Sequence, residues 1–184
     1  MVRALPCNRL QRWLLLIAAV VVLLAIGATA WTGGEARQVP PPAGYAFPAL
    51  TGRVVDQAGM LPAADEKALD ARLATLDHHT GHQFVIVTVD SLGGHAIEDY
   101  SLRLGRYWGI GRKTINDGIL LVVAPHERKV RIEVGYGLEK TVTNAEAARI
   151  IDADILPSFR KGQMTTGIDR GADAIIADLS RGTT

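Results

Sequence analysis

Sulfur chemistry is nearly absent from this chain: its single cysteine, Cys7, lies in the first dozen residues, and no acidic residue occurs before Glu35. Beyond the N-terminus there is therefore no thiol nucleophile and no disulfide, and the fold must be held by its core. No G-x-S-x-G elbow is present, which removes the familiar serine hydrolase arrangement. A segment similar to a phosphate loop, Gly109-Ile110-Gly111-Arg112-Lys113-Thr114, has its Gly-Lys-Thr triplet broken by Arg112 and precedes a strand instead of joining strand to helix.

What the N-terminus does contain is an address. Arg3, Arg9 and Arg12 precede an apolar run over residues 14–30, and Ala28-Thr29-Ala30 has the form of a cleavage site. Residues 1–30 thus read as a signal peptide or, since the run is close to the shortest that spans a bilayer, as a membrane anchor. Either way the remainder is expected outside the cytoplasm, in the periplasm or on the outer face of the membrane. Without these residues Lys+Arg falls from 20 to 17 against 19 Asp+Glu, and the formal charge moves from +1 to −2. Such a balance gives nucleic acid no footing. Residues 31–49, with Pro40, Pro41 and Pro42, read as a Pro/Gly-rich linker, leaving one domain over residues 50–180.

Within the domain, Leu69, Leu73 and Leu76 fall on one helical face over residues 62–79, and Gly81 closes that helix. Residues 83–89 form a continuous β-branched run, expected to be a central strand. Ile97, Tyr100, Leu104 and Trp108 recur at helical spacing and read as core packing, then a strand covers residues 119–124. Strand, helix, strand implies a right-handed crossover and a parallel pair. Residues 130–134 alternate apolar and charged, so residues 119–134 read as a hairpin and the sheet as mixed. Thr143 and Glu146 form a capping box for a helix expected to stop before Pro157, and a last helix carries Ile168, Ala172, Ile175 and Leu179. Four helices around at least three strands make an α/β sandwich.

The hairpin gives the first candidate site, because its return brings Asn116-Asp117-Gly118 and Gly135-Tyr136-Gly137-Leu138-Glu139 to one edge of the sheet. Asp117 can hold a divalent cation or position a water, or serve an ordinary Asx-turn. Glu139 can approach it, or act as a charge at the next helix start. Arg112 and Lys113, on the same side, are candidates for holding a phosphate. Arg128 and Lys129 occupy the hairpin turn at the far end, and His78, His79 and His82 read as cations near a helix C-terminus.

Taken in order, Val54-Val55-Asp56, Gly59-Met60-Leu61, Ile97-Glu98-Asp99-Tyr100, Trp108-Gly109-Ile110-Gly111, Asn116-Asp117-Gly118, Gly135-Tyr136-Gly137-Leu138-Glu139 and Pro157-Ser158-Phe159-Arg160 resemble the TPM domain family. The resemblance covers nearly the whole exported domain. It implies a three-layer α/β/α sandwich of the kind found in bacterial envelope proteins and in a thylakoid lumen acid phosphatase linked to photosystem repair. It groups Asp56 with Asp117 and Glu139 as metal ligands, with calcium or another divalent cation as the cofactor. Two functions follow: an accessory or assembly module for membrane-associated proteins, or a metal-dependent acid phosphatase acting on phosphomonoesters.

Overall fold

The computed structural model describes residues 41–181. The expected leader and most of the expected linker lie outside the described residues. The elements are β1 (Val54–Asp56), α1 (Ala63–Thr80), β2 (Gln83–Thr88), α2 (Ile97–Trp108), β3 (Gly118–Ala124) and β4 (Lys129–Val134). A 3-10 turn (Tyr136–Leu138), α3 (Asn144–Ile150), a π-helical turn (Ile151–Ile155), α4 (Leu156–Phe159) and α5 (Met164–Arg181) complete them. Among the described residues no helix is long and apolar enough to cross a membrane.

The four strands lie in the order β1-β2-β3-β4. β2 is parallel to both neighbours, pairing Val55 with Val87 and Gln83 with Gly118, while β3 and β4 run antiparallel with Ile119 opposite Val134. Strand alternation gives each face its own core. Val54, Phe84, Ile86, Ile119, Leu121 and Ile132 face α1, α3 and α5. Val55, Val85, Val87, Leu120 and Val122 face α2. The architecture is the expected three-layer α/β/α sandwich with a mixed sheet, and β2 and β3 are its buried centre.

The two crossovers do not share a hand. Both step the same way along the sheet, yet α1 covers one face and α2 the other. Two such crossovers must have opposite hands, so they are not both right-handed, although that hand is the strong rule for parallel strands.

One helix differs from the sequence reading. The helix opened by Thr143 does not end at Pro157: it widens into the π-helical turn and continues as α4, with Pro157 in its first turn. Proline has no N–H, and its ring crowds the carbonyl of the preceding turn; a wider turn there accommodates it. The Thr143 hydroxyl does accept from Glu146 N at 3.1 Å, but the Glu146 carboxylate turns to Arg149 at 2.8 Å instead of completing the capping box. Ahead of β1, Tyr45, Phe47 and Leu50 pack onto the α2 core. Trp108 Nε1 donates to the Pro48 carbonyl at 3.0 Å, and Tyr45 stacks on His95 with ring centroids 3.9 Å apart. Among the described residues, both cores are made of residues from Tyr45 onward.

Candidate functional site

At the amino end of the parallel strands the loop between α2 and β3 folds back on itself. Gly109 and Gly111 adopt positive φ, and Gly111 N–H donates to Gln83 Oε1 at 2.7 Å. Asp117 ends the loop with 0% exposure. Its Oδ1 accepts Arg112 N–H at 2.9 Å, and its Oδ2 accepts Arg112 Nε at 2.8 Å together with Arg112 Nη2. His82 faces the same oxygen, Nδ1 to Oδ2 3.4 Å. Burial pushes the Asp117 carboxyl up, but the Arg112 guanidinium, the Arg112 N–H and His82 outweigh it and hold it at about 2, below the ordinary 3.8. The carboxylate is a clamp that closes the loop.

The glycines of the returning strand complete the clamp. Gly135 N–H donates to the Gly118 carbonyl at 2.8 Å, and Gly137 N–H to the Asn116 carbonyl at 3.0 Å. A Cβ on Gly135 would collide with the Asn116 carbonyl oxygen, and one on Gly137 with that of Ile115. Backbone therefore lies directly on backbone where any side chain would hold the segments apart. The locked loops form a tip that carries Ile115, 47% exposed, and Tyr136, 74% exposed. Lys113, Glu139 and Lys140 are exposed around them.

The hairpin brings Asp117 and Glu139 to the same end, as its register requires. Asp56 is elsewhere. It ends β1 beside Thr88, whereas Gly118 lies beside Gln83, so Asp56 and Asp117 are separated by the length of β2, roughly 17 Å. Asp56 is also occupied: Oδ1 accepts Met60 N–H at 3.0 Å and the Thr88 hydroxyl, and Oδ2 accepts Leu61 N–H at 2.8 Å. Of the three expected ligands, Asp56 therefore lies apart from Asp117 and Glu139. Among the described residues no group of three or more His, Cys, Asp or Glu gathers closely enough to hold a metal.

Of the two expected phosphate-binding cations, Arg112 is committed to Asp117, and Lys113 stands exposed beside it. His78 and His79 sit in the last turn of α1 as expected. His82 does not belong with them, since it lies past the αL cap at Gly81 and joins the Asp117 clamp. The signal for that contact is the parallel pairing itself, because His82 and Asp117 each precede paired strand starts, Gln83 and Gly118.

At the opposite end of the sheet the exit loops are joined by the chain's own hydrogen bonds. Exit loops of neighbouring strands that leave for opposite faces create the usual binding crevice of α/β sheets, and β1 and β2 meet that condition. Here Ala58 N–H donates to the Thr88 hydroxyl at 3.0 Å, Gln57 N–H to the Thr88 carbonyl at 3.2 Å, and Asp56 receives the Thr88 hydroxyl. These bonds tie the β1 exit loop to the end of β2. Asp56→Ala removes a carboxylate that accepts from three donors and is expected to lower stability by about 2–3 kcal/mol, read from urea unfolding. Millimolar calcium should leave the midpoints of both proteins unchanged. Stabilisation of the wild type alone would return Asp56 to cation binding.

An α/β/α domain whose signature loops are locked together at the amino end of its sheet is the class these features define. The chain belongs to the TPM domain family, whose model matches residues 54–178. The solution structure of the N-terminal domain of a protein from P. gingivalis is similar at 36% identity and a TM-score of 0.68, over 72% of this chain and 85% of that one. Two others share the fold at 16% identity. They are the N-terminal domain of the cg2496 protein from Corynebacterium glutamicum, with a TM-score of 0.55 over 76% of this chain and 88% of that one, and the BA42 protein from Bizionia argentinensis, with 0.58 over 66% and 82%. No curated protein matches this chain.

Proposed function

We propose that the protein is an exported accessory module of the cell envelope that docks onto a membrane-associated protein through the tip at residues 109–118 and 135–140. The observation that carries this reading is the use made of the signature residues: Asp117, Arg112 and the glycines hold one another, and what they present outward is Ile115 and Tyr136. Exposed aromatic and aliphatic side chains held on a rigid backbone are the elements of a binding hot spot. Covering both contributes roughly 3 kcal/mol, enough for a contact that a second surface or a tether strengthens. Among the described residues the chain enters the domain beside His95, at the end of α2 away from the tip. Export rests on the Arg-rich and apolar leader.

A metal-dependent phosphatase is the weaker reading. One arrangement favours it: a buried aspartate facing an imidazole orients that ring for proton transfer. Against it, Asp56 lies at the opposite end of the sheet from Asp117 and Glu139, and Arg112 is engaged by Asp117.

A photo-crosslinking amino acid placed at Tyr136 in cells should give a discrete adduct with an envelope protein, and Ile115→Ser should remove it. The same probe at Arg128, at the far end of the hairpin, should give none. No adduct at position 136, or equal adducts at both positions, would contradict docking at the tip.

A further inference from the structure

β4 is an edge strand: among the described residues no strand pairs with its outer side, along which Val130 and Val134 are partly exposed. In an antiparallel ladder hydrogen-bonded pairs alternate along the strand. Gly135 bonds Gly118 on the β3 side, so Arg131 and Glu133 also turn their backbone groups toward β3, while Val130, Ile132 and Val134 turn theirs outward. Among the described residues nothing hydrogen-bonds to those outward groups. An open edge of this kind is a template for another strand unless it is bulged, very short or covered, and β4 over Lys129–Val134 is a regular strand.

The sequence of the edge indicates which strand it accepts. Lys129-Val130-Arg131-Ile132-Glu133-Val134 is self-complementary when reversed about Ile132. The outward-facing residues then pair among themselves, Val130 with Val134 and Ile132 with its own copy, as an antiparallel ladder demands. On the α2 face Arg131 falls opposite Glu133, an opposite-charge cross-strand pair made twice by symmetry. Both side chains have groups to spare. Within one chain Arg131 Nε donates to Glu133 Oε2 at 2.8 Å, and the Ser101 hydroxyl donates to the same oxygen at 3.0 Å. Glu133 Oε1 and the terminal nitrogens of Arg131 have no partner among the described residues. A foreign strand would need an acid and a base at those two positions, whereas a second copy supplies both.

We propose that β4 pairs edge to edge with β4 of a second copy of this chain, antiparallel and centred on Ile132, giving a continuous eight-stranded sheet. This inference is independent of docking at the tip, because the paired edge and the tip are different surfaces. Antiparallel pairing sends the two tips toward opposite ends of the joined sheet.

Sedimentation velocity on residues 39–184 over a hundredfold concentration range tests it. The wild type should pass from monomer to dimer. Val130→Pro removes an outward N–H and no bond to β3, a substitution edge strands tolerate, and should weaken association at least tenfold with the far-ultraviolet spectrum unchanged. E133R and R131E each place like charges across the edge and should be monomeric alone but associate when mixed. The double variant carrying both changes should dimerise as the wild type does. A wild type that stays monomeric throughout, or a dimer indifferent to Val130→Pro and to the charge changes, would overturn the proposal. A monomer whose β4 edge binds a strand of another protein would overturn it equally.

Discussion

Gly135→Ala is expected to destabilise the domain by more than about 3 kcal/mol, a loss in the range that only a few mechanisms reach. The cause is not backbone conformation, since Gly135 has φ −68° and ψ 146°, which any residue adopts. It is space. An added Cβ would overlap the Asn116 carbonyl oxygen and would lie 2.9 Å from the Asn116 carbonyl carbon and 3.0 Å from the Gly118 oxygen. All three are backbone atoms and cannot swing aside as a side chain would, so the loop must lift and release the Asp117 clamp. Gly105→Ala provides the contrast: it lies inside α2, and its Cβ would meet only Leu120 Cδ2, at 3.8 Å. There alanine should stabilise by about 0.5–1 kcal/mol through helix propensity. Urea midpoints of the two variants should move in opposite directions, and movement in the same direction would refute the close-approach argument.

Asp117→Asn should cost about 2 kcal/mol at neutral pH, and the cost should vanish in acid. The Asp117 carboxyl has its pKa lowered from 3.8 to about 2 in the folded chain. A depressed carboxylate contributes stability that is fully present above its unfolded value, near 4, and is lost as the pH falls through about 2. Wild type and variant should therefore differ most above pH 4, and their unfolding midpoints should converge between about pH 4 and pH 2. Removing one partner of a buried pair often costs more than this, but Arg112 is 49% exposed and recovers solvation once released. A difference that persists undiminished at pH 2 would show that the variant acts by another route.

Much of this was legible in the sequence because the elements are long and regularly patterned. The β-branched run at 83–89, the Leu69-Leu73-Leu76 stripe and the Asn-Asp-Gly entry to the hairpin each fix an element, and the hairpin fixes the meeting of Asp117 with residues 135–139. β1 was less visible, since three residues are too few to show a period. The π-helical turn was hidden because proline after a helical stretch ordinarily signals a stop. The grouping of Asp56 with Asp117 came from resemblance, and the parallel topology argues against it: Asp56 ends β1, whereas Asp117 precedes β3. Parallel strands start at one end of the sheet and finish at the other, so these two acids are divided by the sheet. His82 shows the converse, where pairing of β2 with β3 brings together two residues far apart in sequence.

The glycines carry a related lesson. In sequence, Gly118, Gly135 and Gly137 suggest turns, or close approach to a bound ligand. In the structure the group they approach is the chain's own backbone, and a Cβ on Gly118 would lie 2.7 Å from Gly111 N. A Gly-rich motif beside an acid is thus compatible with a binding site or with a locked loop, and what separates them is what occupies the carboxylate. For Asp117 the occupants are Arg112 and His82.

Hydrogen exchange of the backbone amides in wild type and Asp117→Asn, measured at pH 7, tests the clamp most directly. Gly111, Gly135 and Gly137 should be protected in the wild type by their hydrogen bonds to Gln83, Gly118 and Asn116. The variant should lose that protection at the tip while the amides of β2 and β3 exchange as before. Tip amides that keep their protection without the Asp117 carboxylate would contradict the account and free that acid for another task.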